Sequence, residues 1–205
     1  MSYQESLQIL IIDNYDSFTY NLVDLAWSTT KQLGIEKSPT VARNDKITLK
    51  EIKKLSPTHI ILSPGPGNHT AGGICHELLS GYAKSIPTLG ICLGHQLMAA
   101  NQGTHVIRAP KPIHGHQELI HHNGTGIFKS IPSPLFAARY HSLMVDEKSL
   151  STTFTVTART SDDIIMGISA LEFPWHGVQF HPESFLSQHG SIIMKNFLHL
   201  KVYSQ

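Results

Sequence analysis

Cys92, His181 and Glu183 are residue types that together can run nucleophilic catalysis: a thiol, a base to deprotonate it and a carboxylate to orient the base. Cys92 stands in Gly90-Ile91-Cys92-Leu93-Gly94, between the apolar run Thr88 to Ile91 and the residues Leu93, Leu97, Met98 and Ala100 at helical spacing. Cysteine between a strand and a helix, with glycine two residues to either side, has the pattern of a nucleophile elbow, G-x-C-x-G in place of G-x-S-x-G. Gly90 and Gly94 leave room for the tight turn and for close packing of helix on strand. The helix that begins after Cys92 offers unpaired N–H groups and a positive dipole end, which stabilise negative charge on a sulfur or an oxyanion. The N–H of Leu93 is a natural oxyanion donor. Taken alone, the motif also fits a plainer reading, a small buried cysteine after a core strand.

His181-Pro182-Glu183 follows the apolar stretch Gly177 to Phe180. Residues two apart in an extended segment project to one side, roughly 6.5 Å apart along the chain. The Glu183 carboxylate can therefore accept from one ring nitrogen of His181, leaving the other to deprotonate a thiol. Ser63-Pro64-Gly65-Pro66-Gly67 follows another apolar run, His59 to Leu62. It reads either as a rigid turn or as a ligand loop at the carboxyl end of a strand, where a glycine N–H completes an oxyanion hole with Leu93. Cys elbow, P-G-P-G loop and H-P-E in one chain amount to a Cys-His-Glu triad.

The elements that must position these groups alternate. Leu7 to Ile12 reads as a strand buried on both faces, ending in the polar turn Asp13 to Ser17 with good N-cap residues. A helix follows with Phe18, Leu22, Leu25 and Ala26 on one side, then a strand over Ser38 to Ala42. Thr48, with Glu51 three residues on, predicts a capping box opening a short helix through Leu55. A helix from Gly73 to Lys84 carries Cys75 as a packing residue and leads into the Cys92 strand. Beyond the Cys92 helix, strands are expected over Gly103 to Arg108, His116 to His122, Leu143 to Asp146, Thr153 to Ala158, Ile164 to Leu171 and Gly177 to Phe180, and a closing helix over Gln188 to Val202. This is an α/β pattern: an open, mostly parallel sheet with helices on both faces and an antiparallel section in the C-terminal half, residues 1–205 forming a single domain.

Composition narrows the function classes. At 205 residues, 40% hydrophobic and 15% charged, the chain suits one globular core. A net charge of +1 without a long basic run argues against nucleic acid. Met1 to Leu7 lacks the features of a signal peptide and no apolar run approaches a membrane span, so a reduced, cytoplasmic setting is expected. Two cysteines, Cys75 and Cys92, make no disulfide framework. Among 14 histidines, His114, His116, His121 and His122 cluster, and an extended chain would put His114 and His116 on one face as a zinc pair. No third and fourth ligands at telling spacing follow, so no metal is expected.

Over nearly its whole length the chain resembles the class I (triad) glutamine amidotransferases, and within them the amidotransferase subunits of anthranilate and aminodeoxychorismate synthases. The residues that carry this are Asp13-Asn14-Tyr15-Asp16-Ser17-Phe18-Thr19-Tyr20-Asn21, Ser63 to Gly67, Gly90-Ile91-Cys92-Leu93-Gly94-His95-Gln96, Tyr140-His141-Ser142-Leu143 and His181-Pro182-Glu183. The resemblance implies a flavodoxin-like sheet and hydrolysis of L-glutamine through a γ-glutamyl thioester on Cys92, with His181 as base and then acid, oriented by Glu183. It implies oxyanion donors at Gly65 and Leu93, and glutamine held by Gln96, Ser142, Leu143 and the Gly65-Pro66-Gly67 backbone. It also implies no cofactor in this chain and a heteromer with a chorismate-utilising synthase subunit, which would use Mg2+. Asn68-His69-Thr70 and His116-Gln117-Glu118 depart from the family's pattern at the site mouth or the synthase contact. Rival readings are a stand-alone γ-glutamyl hydrolase or peptidase on the same fold, and a non-catalytic α/β binding module.

Overall fold

The computed structural model describes residues 7–201, so residues 1–6 of the N-terminal stretch and Val202 of the expected closing helix lie outside the described residues. Among the described residues nine strands form one sheet: β1 (Ile9–Asp13), β2 (Thr40–Arg43), β3 (His59–Leu62), β4 (Thr88–Ile91), β5 (Val106–His122), β6 (Leu135–Val145), β7 (Phe154–Thr160), β8 (Ile165–Ala170) and β9 (Trp175–Val178). Their order is β2-β1-β3-β4-β9-β8-β7-β5-β6. The pairs from β2 to β9 are parallel, and those from β9 to β6 antiparallel. Among the described residues no helix is long and apolar enough to cross a membrane.

Strand periodicity sorts the core. Ile9 and Ile11 of β1 pack in one cluster with Leu22 and Ala26 of α1 (Thr19–Gln32) and Ile193, Met194 and Phe197 of α5 (Gly190–Leu198). Leu10 and Ile12 pack in another with Ile52 of α2 (Leu49–Leu55), Leu78 and Leu79 of α3 (Ile74–Ser80) and Leu97 and Met98 of α4 (Leu93–Asn101). Helices therefore cover both faces, and a strand between two apolar layers needs the continuous apolar run seen in its sequence. The capping box at α2 forms as its spacing requires: Thr48 Oγ1 accepts from the Glu51 N–H at 3.3 Å, and Glu51 Oε2 accepts from the Thr48 N–H at 2.8 Å.

Several elements differ from the sequence reading. The expected strands Gly103 to Arg108 and His116 to His122 are parts of one strand, β5, which bends through two register irregularities. At the second, His114 and His116 pair with the adjacent residues Tyr140 and Arg139, because Gly115 (φ 74°) is an extra, bulged residue. The regular extended chain assumed for a zinc pair is therefore interrupted between the two positions. Among the described residues no group of three or more His, Cys, Asp or Glu is arranged to hold a metal. Strand β6 begins at Leu135 instead of Leu143, the buried Arg139 having obscured its alternation. The helix expected over Gly73 to Lys84 stops at Ser80, where Gly81 breaks it before a 3-10 turn over Tyr82–Ser85. Strand β9 lies two residues earlier than expected, and the closing helix is shorter, at Gly190–Leu198. The polar residues before α1 do not supply its N-cap, which is Phe18; Asp13 and Asp16 instead accept N–H bonds within the turn itself.

The parallel block decides where chemistry can happen. The carboxyl ends of β1, β3, β4 and β9 lie along one edge of the sheet, on both sides of the point where the strand order reverses. Those ends lead into Asn14, Ser63 to Gly67, Cys92 and Gln179 to Glu183 respectively.

Candidate active site

Cys92 caps α4 in a positive-φ conformation, φ 50° and ψ −100°, which costs a non-glycine residue on the order of 1–3 kcal/mol. The turn is pinned by the Cys92 N–H, which donates to the Val178 carbonyl at 2.8 Å. It is possible only because its flanks carry no Cβ. One on Gly90 would lie 2.5 Å from the Gly94 oxygen, and one on Gly94 2.3 Å from the Leu62 oxygen. Leu93 is the first residue of α4, so its N–H has no partner within the helix and stands beside the sulfur's residue.

His181 follows β9 and is tied to β6 by its N–H, which donates to the Ala138 carbonyl at 3.0 Å. Its Nδ1 meets Glu183 Oε1 at 2.6 Å, with both side chains almost wholly buried. Tyr140 and Phe18 pack edge-on against the imidazole, at 5.1 and 6.5 Å between ring centres. Burial pulls the His181 pKa down, but interactions with Cys92 and then Glu183 outweigh it and hold the ring up at about 10. Nε2 is buried without a hydrogen-bond partner among the described residues, and the nearby Cys92 favours the charged ring together with Glu183. The Asp16 carboxyl also belongs to this neighbourhood. Burial raises its pKa, while its bond to the Phe18 N–H and the His181 charge pull the other way.

A cavity of about 180 Å³ opens beside the sulfur, lined by Gly65, Pro66, Gly67, Cys92, Leu93, Gln96, Tyr140, His141, Ser142 and Leu143. Every residue singled out from sequence as a substrate contact is on that wall, while His181 and Glu183 are not part of the lining. Larger hollows elsewhere, about 500 Å³ beside His69, His76 and His105 and about 610 Å³ between α1 and the start of α5, do not touch Cys92.

Five site residues were not given a role from sequence. Tyr140 and His141 complete the cavity wall. Gln179, fully buried, donates from Nε2 to Cys92 Sγ at 3.5 Å. Arg139, also buried, donates from Nε to His141 Nε2 at 3.0 Å and pairs through its guanidinium with Glu118. Asn14 braces the Gly65 loop. Alternation places Gln179, two residues before His181, on the same side of the chain, a signal for its position but not for its distant partners.

The chain belongs to the class I glutamine amidotransferases: residues 10–200 match the family glutamine amidotransferase class-I. It is 48% identical over 191 residues to anthranilate synthase component 2 of Azospirillum brasilense, covering 93% of this chain and 94% of that one. It is 45% identical over 190 residues to aminodeoxychorismate/anthranilate synthase component 2 of Bacillus subtilis, covering 93% and 95%. The bifunctional protein TrpGD of Thermotoga maritima is 43% identical over 95% of this chain, which spans only 32% of that longer protein. A crystal structure from Thermoplasma acidophilum, described as that of a candidate GMP synthase subunit, superposes with a TM-score of 0.78 at 25% identity, over 94% of this chain and 92% of that one.

Proposed function

We propose that this chain hydrolyses L-glutamine to L-glutamate and ammonia, and delivers the ammonia to a separate chorismate-aminating synthase subunit with which it forms a heteromer. The observation that carries the reading is the convergence on one sheet edge of Cys92 at the head of α4, the His181–Glu183 pair at 2.6 Å and a cavity walled by the Gly65 loop and Ser142-Leu143.

Cys92 passes its thiol proton to His181 Nε2, and the sulfur attacks the side-chain amide carbon of glutamine, forming a C–S bond and moving the carbonyl electrons onto oxygen. The N–H groups of Leu93 and Gly65 receive that oxyanion. His181, having taken the thiol proton as base and favoured in its charged form by Glu183, then acts as an acid: it gives that proton to the leaving nitrogen as the C–N bond breaks and ammonia departs. The neutral ring then takes a proton from water, and the hydroxide attacks the thioester carbon. Collapse breaks the C–S bond, returning sulfur and protonated His181 and releasing glutamate. Glu183 keeps Nδ1 in place throughout. These steps use side chains, backbone and water alone, so on this reading a Mg2+ requirement belongs to the synthase. The names of the relatives support both an anthranilate-forming and an aminodeoxychorismate-forming partner, and a cytoplasmic setting suits the working thiol.

Replacing Cys92 by Ser tests the reading. Glutamine-dependent synthesis with the partner should fall by more than about a thousandfold, while synthesis from added ammonium salt persists. A diazo-ketone analogue of glutamine should label Cys92 and spare Cys75, whose buried thiol is pushed up to about 12. A serine variant that keeps most of its glutaminase rate would overturn the assignment. Rapid cleavage of γ-glutamyl peptides by the chain alone would favour the stand-alone hydrolase.

A further inference from the structure

We infer that Gln179 is a positioning residue for glutamine hydrolysis, holding an N–H against the Cys92 sulfur while fixing the orientation of Gln96 at the substrate cavity. The inference rests on Cys92 being the nucleophile.

The polarity of the contact follows from groups that cannot be reversed. Arg139 Nε can only donate, so His141 Nε2 accepts from it at 3.0 Å. His141 Nδ1 therefore carries the proton and donates to the Leu143 carbonyl at 2.8 Å. That carbonyl is an acceptor only, so the Gln96 atom 3.2 Å from it must be the Nε2 amide nitrogen. Gln96 Nε2 spends its other hydrogen on Gln179 Oε1 at 3.0 Å. With Oε1 so placed, Gln179 turns its Nε2 to Cys92 Sγ at 3.5 Å. The Leu143 carbonyl, an acceptor only, thus orients two amides in series that end in a donor at sulfur, the atom on which negative charge must rest before attack. The same series leaves Oε1 of Gln96, which lines the cavity, as its uncommitted acceptor, suited to the ammonium group of an amino acid.

Gln179 is fully buried, and a buried amide is retained only where its bonds are made. Other titratable or charged groups around Cys92 are His181, with Glu183 and Asp16 behind it, from the loops after β9 and β1, His95 on α4, and the row His141, Arg139 and Glu118 on β6 and β5. Among these residues, Gln179 touches the sulfur without titrating.

Two variants of the full chain with its synthase test this, read by glutamine kinetics and by the pH dependence of Cys92 alkylation with iodoacetamide, located by peptide mass. Gln179→Met keeps the volume and removes both bonds. Its alkylation midpoint should rise by about one pH unit, the scale of a hydrogen bond to a charged group, with kcat down about tenfold or more and KM for glutamine up. Gln179→Glu keeps an acceptor for Gln96 and removes the donor from sulfur. It should move the midpoint and kcat the same way with KM within about twofold of the parent. Melting profiles identify a variant that fails to fold, in which case the other decides. Folded variants with an unmoved midpoint, or with kcat and KM changed alike in both, would show a merely structural glutamine and overturn the inference. A moved midpoint with undisturbed glutamine turnover would overturn the nucleophile assignment itself, and the inference with it.

Discussion

Asn14 grips Ser63 at two points: its backbone N–H donates to Ser63 Oγ at 2.8 Å, and its side-chain Nδ2 donates to the Ser63 carbonyl at 2.8 Å. The loop that carries Gly65 therefore starts from a residue fastened to the end of β1. Gly65 itself lies so close to Asn14 that a Cβ would stand 2.4 Å from the Asn14 oxygen. Asn14 Oδ1 is occupied in turn by Asn44 Nδ2 at 2.9 Å and by the Cys75 thiol at 3.5 Å. Cys75, inert toward chemistry, is part of this brace.

Asn14→Ala should consequently damage the oxyanion loop from behind. Leaving Ser63 and Asn44 short of buried partners costs about 1–3 kcal/mol, a fall of a few degrees in Tm. Glutamine turnover should drop about ten- to a hundredfold, because a displaced oxyanion donor loses most of its worth. Steady-state glutamate release and a thermal melt on the same preparation check this. Loss of stability with full turnover would detach Asn14 from the loop's function.

The His181–Glu183 pair makes a pH prediction with a definite sign. His181 is raised from 6.5 to about 10, so its contribution to folding is fully present below about pH 6.5 and is lost as pH rises through about 10. On the proposed mechanism the same group should set the alkaline limb of kcat/KM, since loss of its proton would remove the acid for the leaving nitrogen. Glu183→Gln should shift that limb to lower pH and cost less turnover than His181→Ala. The double variant should be little worse than His181→Ala alone, and losses that multiply would mean the two do not act together.

Acid stability is governed by other histidines. Burial lowers His59, His141 and His176 to about 4 and His95 to about 3. In the unfolded chain each binds a proton near pH 6.5, whereas the folded site refuses it until near pH 4 or below. Stability therefore falls as pH drops through that window, by up to about 1.4 kcal/mol per unit for each group. Tm measured from pH 7 to 4 should decline steeply. His59→Phe, which keeps a ring against Phe197 (5.1 Å between ring centres), should flatten the slope by one proton's worth.

What was legible in the sequence is what local chemistry dictates. The β4 turn and helix, the Thr48–Glu51 capping box and the Gly65 loop rest on residues that act near their own place in the chain, glycines without Cβ, a threonine reaching three residues on and a loop at a strand end, whereas Gln96, Ser142 and Leu143 come from the family resemblance alone. What was not legible needs a partner distant in sequence. Arg139 on β6 made no sense as a strand residue until Glu118 and His141 were beside it. Gln179 looked like a polar member of a core strand because its partners, Cys92 and Gln96, are more than eighty residues away. The bulge at Gly115 joined two apparent strands into one, since a left-handed glycine reads as a turn when its neighbours' pairing is unseen.

The isolated chain should be a poor glutaminase that the synthase switches on. Ammonia released into neutral water is mostly protonated and no longer nucleophilic, so uncoupled hydrolysis wastes glutamine. The groups of the proposed site sit on separate pieces of chain: the Gly65 loop, the head of α4, the end of β6 and the loop after β9. One exposed aromatic bridges them. Phe18, 36% exposed, packs on Tyr140 at 5.7 Å and on His181 at 6.5 Å, and Tyr20 and Phe185 are 79% and 91% exposed. A synthase covering these rings would press Tyr140 and with it Ser142-Leu143 against the sulfur, in a site where small displacements cost large factors. Glutamate release should therefore rise on adding the synthase, most when chorismate is bound. Phe18→Ala should lower the stimulated rate by more than the basal one, since it removes the ring through which the partner's pressure reaches Tyr140. Steady-state release with and without synthase, at varied chorismate, measures both effects. A full rate from the chain alone, indifferent to synthase and chorismate, would sink the coupling, and equal losses of basal and stimulated rate in the Phe18 variant would remove that ring from it.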